Sequence, residues 1–164
     1  MNTKKILFVC QCNICRSPMA EFILKNMMSK YNNVEIASVG MSGEKEGEDM
    51  TVEAQKCLSA HNILFENRQA VVFCVEDYLK YDLIVCMDEW NKFNLKIRCM
   101  DDPLHKIFKL LEFSRTTKGM SDDDAMLYTN VTDPYHSNNY EQTFSEIYEG
   151  CAKLKESILE DIYV

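Results

Sequence analysis

The chain has no apolar run that approaches the length of a membrane-spanning helix. Its first residues, Met1-Asn2-Thr3-Lys4-Lys5, lead into an apolar run of only about five residues, too short for the core of a secretory signal. A cytoplasmic protein without a membrane partner is the expectation. Positive charge is scarce: 18 Lys and Arg stand against 26 Asp and Glu, a net charge of −8. That balance argues against a nucleic-acid partner, yet it leaves room for a local basic site that holds an anion. There is no internal repeat, low-complexity segment or linker-like stretch, which leaves a single domain over residues 1–164. Glycine is sparse as well. Three of the five glycines, Gly40, Gly43 and Gly47, fall in one stretch, read as a surface loop over 40–49.

What is present suits an ordinary core, with 46% hydrophobic and 27% charged residues. There are eight cysteines. Cys74 follows Val71-Val72-Phe73 and Cys86 follows Leu83-Ile84-Val85, so these read as small buried hydrophobes of a reducing compartment, not as a disulfide framework. Cys12 and Cys15 have the spacing of a metal-binding pair, but no partner pair is evident, and no metal is expected.

Residues 5–10 form a near-continuous apolar strand, as in a parallel sheet covered on both faces. A helix is predicted from Ser17 to about Lys30, with Ala20, Ile23, Leu24 and Met27 on one face. Val34 to Ser38 completes a βαβ unit. A helix over Thr51 to Ala60 should turn Val52, Cys57 and Leu58 inward. Phe65 to Phe73 reads equally as strand, loop or helix start. A short helix over Glu76 to Tyr81, a strand over Asp82 to Met87 and a helix from Asp88 to about Arg98 follow. Lys106 to Leu111 reads as a last strand, and the polar residues 114–132 as a solvated loop. From about Tyr140 to Ile162, Phe144, Ile147, Tyr148, Cys151, Leu154, Ile158 and Ile162 keep helical spacing. The alternation predicts an α/β fold: a doubly wound, three-layer domain with a central, mainly parallel sheet of about four strands and helices on both faces. Ligands of such folds bind where strands end, and the Cys10 loop, Ser38 and Met87-Asp88 are placed there.

One stretch carries chemistry. The strand ending Phe8-Val9-Cys10 runs through Gln11-Cys12-Asn13-Ile14-Cys15 into Arg16-Ser17-Pro18. Ser17 suits a helix N-cap and Pro18 the first helical position. A loop entering a helix N-terminus offers unpaired backbone N–H groups and the positive end of the dipole, a site for an anion. A cysteine placed there is favoured as the thiolate. Arg16 adds a planar fork of donors suited to two phosphate oxygens. Together these predict a nucleophilic thiolate beneath a bound oxyanion.

The stretch Val9 to Glu21 resembles the signature of the low-molecular-weight protein tyrosine phosphatases, in which a cysteine and an arginine with five residues between them precede Ser-Pro-Met-Ala-Glu. A second match is Asp133-Pro134-Tyr135, and a third is Cys86-Met87-Asp88-Glu89 with Asn91. The resemblance implies hydrolysis of phosphotyrosine, or of small aryl phosphates, through a phosphocysteine, with inorganic phosphate as product and no cofactor. It implies Cys10 as nucleophile, Arg16 as the phosphate clamp and Asp133 as general acid. Gln11, Cys12, Asn13, Ile14, Cys15, Arg16 and Ser17 would then form the phosphate loop. Ser17, Asn13, Ser38 and Asp88 would support it, and Glu44, Tyr135 and His136 would line the substrate cleft.

This chain departs from the family in several places. Cys12 replaces a glycine, so every loop position carries a side chain. Glu44 falls where the family often has tryptophan, and Phe65 stands nearest the histidine that usually supports the loop asparagine. Some relatives on this fold reduce arsenate, which needs further cysteines such as Cys86 and Cys99. Another subgroup acts on phosphoarginine and tends to carry threonine where this chain has Ile14. A phosphate sensor with little turnover, its loop distorted by Cys12, is a further alternative. Cys10, Cys12 and Cys15 are candidates for reversible oxidation.

Overall fold

Continuous burial along the first strand organises the domain. A computed structural model describes residues 3–163, with side chains described as far as Glu160. Met1, Asn2 and the predicted inward side chain of Ile162 lie outside that range. Strand β1 (Lys4–Cys10) sends Ile6, Phe8 and Cys10 into one apolar cluster and Leu7 and Val9 into another. Both faces are covered, which is why the strand is apolar throughout. It pairs in parallel with β2 (Val34–Gly40) on one side and β3 (Leu83–Cys86) on the other. Strand β4 (Ile107–Lys109) completes a four-stranded parallel sheet in the order β2-β1-β3-β4. The order reverses beside β1, so the Cys10 loop leaves the sheet at the switch point where such folds bind ligands.

Helices α1 (Arg16–Met27), α2 (Val52–Ala60) and α7 (Tyr140–Tyr163) bury their apolar sides in the cluster on the Phe8 face. On the Leu7 face, Tyr78 of α3 (Val75–Lys80) and Leu95 of α4 (Glu89–Arg98) enter the second cluster. Three layers result. No helix among the described residues is long and apolar enough to cross a membrane.

Several expectations are corrected. Val52 is exposed, because the inward face of α2 is Ala54, Cys57 and Leu58. Tyr148 is half exposed and stacks on the buried Phe144, with ring centroids 5.9 Å apart. The last strand stops at Lys109, whose N–H is capped by Glu112 Oε2 at 2.9 Å, and a 3-10 turn follows over Leu110–Phe113. Residues 114–132 are not all loop. Ser121 caps α5 (Asp122–Tyr128), and its three opening aspartates sit at the end of the helix dipole that favours negative charge. Helix α5 has no buried residue, so apolar periodicity could not reveal it. Gly40 belongs to β2, not to a surface loop. A Cβ there would lie 2.9 Å from the Cys12 carbonyl carbon and 3.0 Å from Asn13 N, so only glycine lets the strand end touch the Cys10 loop.

Candidate active site

The loop after β1 curls through one left-handed residue, Asn13, with φ of 58°. Asparagine adopts that conformation more readily than most side chains. Cys12 is not among the positive-φ residues, so the side chain that replaces the usual glycine causes no backbone conflict. Among the described residues, no backbone N–H from Gln11 to Ser17 donates to a protein acceptor. Those donors are left for a ligand. Helix α1 begins one residue earlier than predicted. Cys15 is the N-cap and makes no side-chain capping bond, while Ser17 and Pro18 lie within the first turn. Ser17 is committed elsewhere: its Oγ is 3.0 Å from Cys10 Sγ and receives a hydrogen bond of 2.9 Å from Asn13 Nδ2.

Asn13 is fully buried, and its side-chain amide and carbonyl are all hydrogen-bonded. Its Nδ2 also donates to Ser38 Oγ at 2.9 Å, and Ser38 Oγ in turn donates to Glu21 Oε2 at 2.5 Å. Its Oδ1 accepts from Val71 N at 3.0 Å and from Arg68 Nη2, and its carbonyl accepts from Arg68 Nη1 at 2.5 Å. Phe65, which falls nearest the missing histidine in sequence, packs edge-on against Phe22. The support comes from Arg68, three residues further along the extended 65–73 segment. That segment is held by Gly40 N donating to Val71 O at 2.7 Å and by Phe73 N donating to Gly40 O at 2.8 Å. No local motif marks Arg68 in the sequence, and Glu21 is marked only as the end of the Ser-Pro-Met-Ala-Glu signature.

Replacing Arg68 tests this clamp. Arg68→Met keeps the apolar stem but removes both donors to Asn13. We expect kcat/KM to fall roughly ten- to hundredfold, the equivalent of one or two lost charge-assisted hydrogen bonds at the loop. Arg68→Lys should recover little, because an ammonium cannot grip two oxygens as a planar fork does. Steady-state kinetics on one aryl phosphate decides it. Unchanged kinetics in Arg68→Met would show that the loop holds its shape without the clamp.

Arg16 is 3% exposed and joins three segments. Its Nη1 donates to Asp88 Oδ2 at 2.6 Å and to Val131 O at 3.3 Å, and its Nη2 to Asp133 Oδ2 at 3.0 Å. Burial opposes its charge, but the Cys10 sulfur, Asp88 and Asp133 outweigh that and hold it above the usual guanidinium range. Each carboxylate also caps a helix: Asp88 Oδ1 accepts from Asn91 N in α4, and Asp133 Oδ1 from Tyr135 N in α6 (Pro134–Ser137). The two acids are therefore held in place from both sides.

These elements enclose a cavity of about 360 Å³. Cys10, Gln11, Cys12, Ile14, Cys15 and Arg16 form its floor, and Asp133, Tyr135, His136 and Glu44 stand around it. Lys45, Thr51 and Tyr140 also line it, and sequence patterns did not single them out. Asn13, Ser17, Ser38 and Asp88 do not line it; they brace the floor from behind. Burial, then the Cys10 sulfur, pushes the thiols of both Cys12 and Cys15 up. Cys86 is fully buried and hydrogen-bonds to Phe108 O at 3.4 Å, outside the cavity.

A family described as "Low molecular weight phosphotyrosine protein phosphatase" matches residues 5–163. The chain belongs to that family. Among curated relatives, the low molecular weight protein-tyrosine-phosphatase PtpA of Staphylococcus aureus is 35% identical over 158 residues, covering 95% of this chain and 94% of PtpA. Among solved structures, YfkJ from Bacillus subtilis superposes with a TM-score of 0.87 at 29% identity, over 98% of each chain. The phosphatase SP-PTP from Streptococcus pyogenes gives 0.81 at 28% identity, over 94% of this chain and 93% of its own. The phosphatase described here thus shares its fold along nearly its whole length with enzymes of this class.

Proposed function

We propose that this phosphatase hydrolyses phosphotyrosine, in proteins or as small aryl phosphates, in two steps through a phosphocysteine on Cys10. The Cys10 sulfur attacks phosphorus as the aryl oxygen leaves with a proton from Asp133. Asp133 then takes a proton from water, whose oxygen attacks the phosphocysteine. Inorganic phosphate departs and the Cys10 thiolate returns. Arg16 and the free loop amides stabilise charge on the non-bridging oxygens. Ser17 hydrogen-bonds the sulfur and makes it a better leaving group in the second step. The scheme uses no metal and no cofactor.

One observation carries it: Arg16 beside the Cys10 loop and Asp133, 117 residues away, meet over a single cavity. A phosphate dianion entering the loop competes for the Arg16 guanidinium and leaves Asp133 free to carry a proton. Tyr135 and His136, packed edge to face at 5.1 Å, offer an aromatic rim to the leaving group. Arsenate reduction is less well served, because a relay through Cys86 would need a thiol that is fully buried and held protonated by desolvation. Cys12 and Cys15 line the same cavity as Cys10, which supports a role for them in resolving an oxidised Cys10.

The test is product formation from a phosphotyrosine peptide, a phosphoarginine peptide and arsenate under reducing conditions. Phosphate release from the phosphotyrosine peptide should dominate. Arsenate reduction or phosphoarginine cleavage without phosphotyrosine turnover would overturn the proposal.

A further inference from the structure

Beyond the cavity, the end of α2 meets the start of α7. Cys57 and His61 are four residues apart, about one helical turn, so both project from the same side. Glu141 approaches from the first turn of α7. A donor atom from each of the three lies within 4.8 Å of the other two. His61 Nε2 is 2.7 Å from Glu141 Oε2, and Cys57 Sγ hydrogen-bonds to Glu141 Oε1 at 3.6 Å. The His61 ring lies flat on Phe144, with centroids 3.8 Å apart and planes at 10°, which holds its edge towards the carboxylate.

A plain surface ion pair would account for His61 and Glu141, and is worth little. It does not account for the thiol beneath. Cys57 is buried, and burial and then the Glu141 carboxylate push its thiol up to about 11. The His61 and Glu141 side chains are 37% and 67% exposed. A soft ligand thus sits under two harder ones, with an open path from solvent.

We propose that Cys57, His61 and Glu141 form a zinc site separate from the phosphate chemistry. Sulfur, imidazole nitrogen and carboxylate oxygen are the donors zinc prefers, and water completes a tetrahedron. Zinc–ligand bonds of about 2.0–2.3 Å hold tetrahedral donors further apart than the 2.7 Å His61–Glu141 contact, so that contact opens as the ion enters while the widest of the three donor pairs draws in. The exposed Glu141 side chain is free to swing that far. On binding, Zn²⁺ displaces the Cys57 proton to solvent, and His61 coordinates through Nε2 as a neutral ring. The bound ion staples α2 to α7 directly behind Tyr140, whose carbonyl already accepts from Cys57 Sγ at 3.6 Å and whose side chain lines the cavity.

Cobalt and zinc titrations of the reduced protein test this. Co²⁺ should produce a thiolate charge-transfer band at one equivalent, and Zn²⁺ should bleach it. His61→Ala and Glu141→Gln leave every cysteine in place, and each should weaken both metals at least about tenfold, as loss of a ligand or its support does. Zn²⁺ should raise the melting temperature of the parent but not of either variant. Absence of the cobalt band in the parent overturns the site. So does either variant titrating like the parent, since any metal then sits on other thiols.

Discussion

Cys10→Ser should abolish phosphotyrosine hydrolysis, lowering kcat by at least about four orders of magnitude. Serine is nearly isosteric, so it fits the same buried place at the end of β1, 3.0 Å from Ser17 Oγ. What it cannot do is ionise there. An alkoxide is far costlier to form than a thiolate. A phosphoserine would also be a much poorer leaving group in the second step. The loop amides and Arg16 remain, so the variant should still bind phosphate or vanadate, measurable by calorimetry. Turnover within tenfold of the parent would remove Cys10 as nucleophile and, with it, the two-step scheme.

Asp133→Asn should lower kcat for phosphotyrosine by roughly 10²- to 10⁴-fold, the usual worth of a positioned general acid. The substitution is chosen because the amide side chain keeps an oxygen for Tyr135 N, so the cap on α6 survives. It also loses the ion pair with Arg16, but the guanidinium keeps Asp88 as a partner at 2.6 Å. Leaving-group dependence separates proton donation from positioning. An ester of a strongly acidic phenol needs no proton to leave, so its first step should slow much less in single-turnover measurements. Equal losses for both esters would mean that Asp133 acts by placing Arg16 and not by donating a proton.

Much of the site was legible because its chemistry is local. One loop, Cys10 to Ser17, carries the proposed nucleophile, the proposed clamp and the free amides at a strand–loop–helix junction. Asp133-Pro134-Tyr135 was legible only through the family resemblance, because an acid before proline is by itself more often a turn residue. The loop's bracing was legible only in part: the resemblance implied Ser17, Asn13, Ser38 and Asp88, but not Arg68. Arg68 approaches Asn13 across 55 residues, from a segment with no periodicity, where the resemblance implied a histidine that this chain lacks. Ser17 looked like a helix cap because its residue type fits one. Its hydroxyl instead serves Cys10 and Asn13, and the helix begins at Arg16 without a side-chain cap.

By itself, the order of residues determined the parallel α/β layering and the reactive loop at the end of the first strand. Apolar periodicity and nearest-neighbour backbone chemistry are properties of short stretches, and both are written there. The tertiary structure alone decided what closes around that loop. It set Arg16 between Asp88 and Asp133, put Gly40 where no Cβ fits, and brought Cys57 and His61 to Glu141. Each of these contacts joins segments distant in the chain, so it exists only once the layers have packed and no local pattern encodes it.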